Sequence, residues 1–371
     1  MLPELSQTLS RSDLLRNVLS VAAAAGAFRG GAAFAQINQP RLPPISAAPF
    51  EHVGVKYVRC GGARVKVFYP ASRPSDVAAP YCTDGRTTSD GMAGLVGFKQ
   101  LGLSFLLGHL ADANSGCWLD APPAPDEKLP LLVYSHGFGG NMDMASYLFR
   151  AFAAHGIVTA AIEHTDGTAS FTELADGTQL PFSPGQLTRE QQLKRRAAEM
   201  LAAAKPGALG SGLPPLQSEG AFLGGHSYGG PAALLASASA PEASINVRGL
   251  LLHDPALGMG AEMMAIRRAA SSRSGIPTLS YVSDEYDRAG VRCGDATLHT
   301  IGGFHGNFVD APLWAPYWVM GPLSTVIPAA GPSDPVELHE SLARSAKEFF
   351  TSRDIPEATR VGGRLFELRD M

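Results

Sequence analysis

Charge is scarce in this chain of 371 residues: Asp, Glu, Lys and Arg together make up 17%, and the formal net charge is only -4. That balance supplies no basic field for phosphate backbones, so nucleic acid is excluded as the expected partner. Cysteine is sparse as well. Cys60, Cys82, Cys117 and Cys293 have none of the spacings that hold a metal, and no metal is expected. In an oxidising compartment they permit three complete pairings. Cys82 with Cys117 is the favoured bridge because both lie in one polar insertion, and free buried thiols are the alternative. Beyond the N-terminus no apolar run reaches the length of a membrane span, so no transmembrane helix is expected.

What is present is enough apolar sequence, 45% of residues, to bury a large core. Arg11 and Arg16 precede the apolar stretch Val18 to Phe28, and Ala33-Phe34-Ala35 has small residues where a signal peptidase cuts. Residues 1–35 therefore read as a targeting segment for secretion or organelle import, although Glu4, Asp13 and Arg29 are unusual in one. An uncleaved Ala-rich tail is the alternative. Residues 36–371 read as a single catalytic domain with an insertion at about 72–128.

Gly54 to Arg59 and Arg64 to Tyr69 read as paired strands at a sheet edge. From Leu129 onward, short apolar runs alternate with Ala-rich helical segments, the texture of a mostly parallel sheet covered on both faces. The strands predicted there are Pro130 to Ser135, Ile157 to Glu163, Ala221 to Gly224, Val247 to His253, Pro277 to Ser283 and Thr297 to Gly302. The helices are Met144 to His155, Thr188 to Ala204, Gly230 to Ala238 and Val336 to Thr351.

Gly225-His226-Ser227-Tyr228-Gly229 lies directly between a strand and a helix. A nucleophilic serine on a sharp strand-to-helix turn needs glycine two residues either side, because larger side chains would meet the neighbouring elements. The fold class is therefore α/β, specifically the α/β-hydrolase fold, with Ser227 as nucleophile. His136-Gly137-Phe138-Gly139-Gly140 follows the strand where this fold supplies an oxyanion donor, so the backbone amides of Phe138 and Tyr228 are assigned to the oxyanion hole. The histidine must follow Ser227 in the chain. His253 ends a strand, His299 lies within one and His339 falls in the last helix. His305 remains, in the flexible loop Gly302-Gly303-Phe304-His305-Gly306. For the acid, Asp254 after one strand and Asp284, Glu285 or Asp287 after the next stand equal.

These motifs resemble the plasma and intracellular type II platelet-activating-factor acetylhydrolases, calcium-independent lipases of this fold. The resemblance spans roughly residues 129 to 310. It rests on Leu129 to Gly137, on Glu163-His164-Thr165-Asp166, on Gly225 to Gly230, and above all on His305-Gly306-Asn307-Phe308-Val309-Asp310, which is similar to the family's His-x-Asn-Phe-x-Asp. The resemblance implies that Asp254 is the acid and that Asp284 is a solvated loop charge. It makes Glu163 and His164 structural support, with Thr165 where the family has arginine. It implies no cofactor and a phospholipid whose short or oxidised acyl ester at the second glycerol position is cleaved. Pro255-Ala256-Leu257-Gly258 stands where the family carries a tryptophan and a phenylalanine, so the acyl pocket differs. Leu95 to Leu110 falls where the family has helices near a lipoprotein-binding face. Phe98, Leu101, Phe105 and Leu106 share a helical face there, for peripheral lipid contact or for a buried lid. The rival functions are a general carboxylesterase, dienelactone- or polyester-hydrolase-like, and a catalytically silent hydrolase-fold binding protein, which would lack triad members.

Overall fold

The computed structural model describes residues 42–95, 97–124, 128–257, 275–314, 330–352 and 365–369. The expected targeting segment, residues 1–35, lies outside the described residues, as does Gly258. The insertion contributes β3 (Ala78–Pro80), helix α1 (Arg86–Leu95) and β4 (Asn114–Leu119) after the hairpin β1 (His52–Cys60) and β2 (Ala63–Ala71). The chain then runs through β5 (Leu131–Ser135), α2 (Ser146–Ala154), β6 (Val158–Glu163), the hairpin β7 (Phe171–Glu173) and β8 (Gln179–Pro181), and α3 (Arg189–Ala204). It continues with β9 (Ala221–His226), α4 (Gly229–Ser239), β10 (Val247–His253), β11 (Thr278–Val282), the short α5 (Asp284–Arg288), β12 (Ala296–Thr300), α6 (Pro335–Ser352) and β13 (Phe366–Arg369).

One sheet of 11 strands runs in the order β13-β12-β11-β10-β9-β5-β6-β2-β1-β4-β3. From β6 to β12 every pairing is parallel, while β2 joins β6 and β13 joins β12 antiparallel. Parallel strands must be covered on both faces, and side-chain alternation divides the core accordingly. Val133, Leu223, Leu250 and Leu252 pack on one face with Leu193, Ala197 and Met200 of α3 and Ala232, Ala233 and Ala236 of α4. Leu132, Tyr134, Phe222 and Leu251 point to the other face, against Leu148, Phe149 and Phe152 of α2 and Leu338, Leu342 and Phe349 of α6. This is the α/β-hydrolase arrangement, and the carboxyl ends of β5, β9, β10 and β12 converge on one rim.

Three expectations change. The β1–β2 hairpin forms, but it is not the sheet edge, because β4 pairs parallel with β1 and β3 lies beyond it. No disulfide joins Cys82 to Cys117, and all four cysteines are buried thiols. They act as small apolar groups, Cys82 within the insertion's own core and Cys117 against the sheet. Leu95 to Leu110 is not one helix. After α1 ends at Leu95 it forms three short 3-10 turns, Lys99–Leu101, Ser104–Leu106 and Gly108–Ala111. Phe98, Leu107 and Leu110 turn inward to a cluster with Tyr81, Met92, Tyr147 and Trp314, whereas Phe105 is 63% exposed and Leu106 40%. The insertion is thus packed onto the body of the protein, with the Trp314 indole donating to the Tyr81 hydroxyl at 2.8 Å. Among the described residues no helix is long and apolar enough to cross a membrane.

Candidate active site

Ser227 stands between β9 and α4 with φ 54°, a left-handed conformation that costs a non-glycine residue about 1–3 kcal/mol. The turn is held by the Ser227 amide donating to the His253 carbonyl at 2.9 Å and by Ala256 donating to the Ser227 carbonyl at 3.0 Å. The flanking glycines are forced by close approach. A Cβ on Gly225 would lie 2.3 Å from the Gly229 backbone, and one on Gly229 would lie 2.0 Å from the Ser135 carbonyl oxygen. The tightness that strains Ser227 also aims it outward at the rim.

Asp254 follows β10 and is strained in the same way, with φ 43°. Its carboxylate is fully buried; Oδ1 accepts the Ser283 amide at 2.6 Å and Oδ2 accepts His305 Nδ1–H at 2.8 Å. That bond fixes the imidazole tautomer and leaves Nε2 as the nitrogen able to take a proton. His305 begins a 3-10 turn, His305–Phe308, and the motif around it has a structural explanation. Asn307 is buried, and its Oδ1 accepts the amides of Phe304 (3.0 Å) and Gly331 (2.6 Å). Phe308 stacks on His253 at 5.3 Å, and Asp310 accepts the Tyr147 amide at 3.0 Å. The motif's polar positions therefore nail down the loop that carries the imidazole.

The other candidates have partners elsewhere. His253 is buried and accepts the Tyr134 hydroxyl at 2.6 Å, burial lowering its pKa to about 3. His339 donates to the Asn307 carbonyl at 2.7 Å. Asp284 is not a solvated loop charge. It starts α5, where it accepts His299 Nε2–H at 2.8 Å and the Gly302 amide at 3.1 Å. Asp287 of the same short helix pairs with Arg369 and Arg292, each at 2.9 Å.

Phe138 and Tyr228 come together beside Ser227. Their rings meet edge-on at 5.7 Å, and a Cβ on Gly137 would lie 3.1 Å from Ser227 Cβ, so the loop backbone runs against the serine. The loop rests on a buried polar network. The fully buried Arg196 of α3 donates to Asp166 at 2.8 Å, to Ser135 Oγ at 3.2 Å, and to the His136 carbonyl and the Thr168 hydroxyl. Burial pushes the Asp166 carboxyl up, but the charge of Arg196 outweighs it and holds the group below the usual carboxylate range. His164 accepts from Ser135 Oγ–H and donates to Glu199 at 2.7 Å. Burial keeps His164 neutral and raises Glu199 to about 7. Glu163 instead pairs with Arg64 at 3.0 Å. Arg196→Met is expected to destabilise the protein by about 3–5 kcal/mol, because it strands a buried carboxylate. Urea unfolding measures this, and a loss below about 1 kcal/mol would contradict the assignment of Arg196 as the loop's support.

Two site residues escaped the sequence reading. His226 sits inside the serine motif, where its ring packs 4.4 Å from that of His305 and its Nε2–H donates to the His305 carbonyl at 3.1 Å. Burial and the neighbouring His305 keep it neutral. Tyr286, from α5, lies parallel to the His305 ring at 5.1 Å between centroids. Its only sequence signal was its place among the carboxylates weighed as acids. Among the described residues, no cluster of three or more His, Cys, Asp or Glu side chains could hold a metal ion.

Residues 41–203 match the family model of platelet-activating factor acetylhydrolase, isoform II. That stretch carries the Gly137–Phe138 loop and ends before Ser227. Platelet-activating factor acetylhydrolase of Bos taurus is 46% identical over 80 residues, and that of Canis lupus familiaris 39% identical over 80 residues. Each alignment covers 20% of this chain and 18% of the relative, so the chain spans under a fifth of the length of these relatives. A ferulic acid esterase from Streptomyces cinnamoneus superposes with a TM-score of 0.60 at 18% identity, covering 88% of this chain and 99% of that one. At that identity the likeness speaks for the fold.

Proposed function

We propose that this chain, similar to the platelet-activating factor acetylhydrolases over residues 41–203, is a serine esterase. Its proposed substrate is a phospholipid with a short or oxidised acyl chain at the second glycerol position. The observation that carries the chemistry is the 2.8 Å hydrogen bond from His305 to the buried Asp254, formed at the strand ends beside the Ser227 turn. Ser227 Oγ attacks the ester carbonyl while His305 Nε2 takes its proton. Asp254 stabilises the imidazolium, and the Phe138 and Tyr228 amides hold the tetrahedral oxyanion. The proton returns to the leaving lysolipid, and a water molecule then repeats the cycle on the acyl-enzyme. In this proposal residues 36–371 form one catalytic domain, residues 1–35 direct export or import, and the exposed Phe105 and Leu106 touch the lipid surface.

A broader carboxylesterase is the second reading, favoured by the buried Ala256 and Leu257 that follow Asp254 in place of the family's aromatic residues. Acyl length separates the two. Each added CH₂ holds a phospholipid in its membrane or micelle by a further ~0.8 kcal/mol, so an enzyme that takes substrate from water sees less of it as the chain grows. Phosphatidylcholines with acetyl, butyryl, hexanoyl and palmitoyl groups at the second position are expected to react in steeply falling order. Truncated chains with an oxidised end, which are more soluble, should be cleaved despite their length. Equal rates on acetyl and palmitoyl substrates would defeat the acetylhydrolase reading in favour of a broad lipase.

A further inference from the structure

Arg189, the first residue of α3, extends its guanidinium over two aromatic rings: its Cζ lies 4.3 Å from the Phe138 ring centroid and 5.2 Å from that of Tyr228. These are the two residues whose amides are proposed to hold the oxyanion. The local bonds fix the cation there. Tyr228 Oη–H donates to the Arg189 carbonyl at 3.3 Å and to Gln192 Oε1 at 3.0 Å, Gln192 Oε1 accepts an Arg189 N–H at 3.4 Å, and Gln192 Nε2 donates to the Pro184 carbonyl at 2.7 Å. Phe182 meets Phe138 edge-on at 5.3 Å and is itself 40% exposed. Structural roles leave the charge unexplained. Arg189 is exposed, and among the described residues no carboxylate pairs with it. Its neighbour Glu190 is taken by Lys194 at 2.6 Å. A cation in the first helical turn opposes the helix dipole, so helix stability does not place it there. Arg196 of the same helix also lies over the Tyr228 ring, at 5.0 Å, but it is buried and answered by Asp166.

We propose that Arg189 is a substrate-binding residue that receives an anionic group, carboxylate or phosphate, carried on the ester a short chain away from the scissile carbonyl. The inference rests on the proposed esterase function and narrows the substrate of that site. Its geometry follows from Phe138. The Phe138 amide, as an oxyanion donor, must lie about 3 Å from the carbonyl oxygen in the transition state, and the ring of the same residue carries the guanidinium. The cation therefore stands about one side-chain length from the reacting carbon. A guanidinium held over ring faces keeps its N–H groups at its edge, the part that pairs with two oxygens of a carboxylate or phosphate. The rings also hold the long side chain in place before substrate arrives, which reduces the entropy lost on binding. On the proposed phospholipid two groups have this chemistry: the carboxylate that ends a truncated, oxidised acyl chain, and the head-group phosphate.

The test uses full-length protein and two pairs of esters, each pair differing in one negative charge. For the acyl side the pair is the p-nitrophenyl monoester of adipic acid and its neutral methyl ester, read by p-nitrophenol release. For the leaving-group side it is dibutyryl phosphatidylcholine and tributyrin, read by titration of the butyric acid released. The quantity measured is the ratio of kcat/KM within each pair, so a smaller folded fraction or a disturbed Phe138 loop cancels. Arg189→Gln is expected to lower the ratio by about 5- to 30-fold in at least one pair. A fall in the adipate pair places the anion on the acyl chain, and a fall in the phospholipid pair places it in the head group. Ratios within about twofold of wild type in both pairs would overturn the inference, even if all rates dropped, because Arg189 would then only shape the loop. Wild-type protein inactive on all four esters would defeat the esterase reading itself, and the subsite with it.

Discussion

Replacing Ser227 by alanine should leave a folded protein that no longer turns over esters, with a rate lower by a factor on the order of 10⁶. In the proposed mechanism the hydroxyl supplies the bond-forming oxygen, and without it the site would retain only the oxyanion pocket and binding. Folding should survive, because the turn is held by backbone hydrogen bonds from Ser227 to His253 and from Ala256 to Ser227 rather than by the side chain. A melting temperature near wild type with activity lost is the expected pair of observations. Retention of more than about a tenth of the wild-type rate would remove Ser227 from its role.

Asp254→Asn should cost about 10⁴-fold. The geometry says why the amide cannot adapt. Asp254 accepts from Ser283 N–H with one oxygen and from His305 Nδ1–H with the other. An asparagine has only one oxygen. Turned toward Ser283, it points its NH₂ at the imidazole and forces the ring proton to Nε2, the nitrogen that must accept from Ser227. Turned toward His305, it opposes its NH₂ to the Ser283 amide in a buried site. Asp284→Asn disturbs a contact with His299 instead and should change the rate little. Comparing the two variants with one chromogenic ester decides the matter, and the reverse ranking would move the acid to the later strand end.

The central sheet was legible because its physics is local. Apolar runs such as Leu131 to Ser135 and Val247 to His253 bury alternate residues on opposite faces, and a run apolar at every position has no other place in a fold of this kind. The glycines around Ser227 were legible for the same reason, since the clash that excludes a side chain arises within a few residues of the turn. The insertion was not. Its strand β4 exists because β1 offers a free edge, and its core borrows Met144, Tyr147 and Trp314 from the body. Local pattern therefore suggested one amphipathic helix where short turns divide Phe98 and Leu110 from Phe105. Asp284 looked like a solvated charge because its partner His299 lies on the next strand. Tyr286 had no periodicity to betray it; its stacking on His305 joins two loops that only the closed sheet brings together. The acid itself was undecided on residues alone, and it took the motif resemblance to favour Asp254 over the three carboxylates that follow Ser283.

The central claim, that Ser227 is an activated nucleophile, is tested most directly by covalent labelling. The full-length protein is exposed to a fluorophosphonate, and the modified peptide is located by mass spectrometry while ester hydrolysis is followed in the same sample. The account predicts one label per chain, on Ser227, appearing at the rate at which activity disappears and absent from Ser227→Ala. Full hydrolytic activity after exhaustive exposure, or loss of activity with the label on another residue, would contradict it.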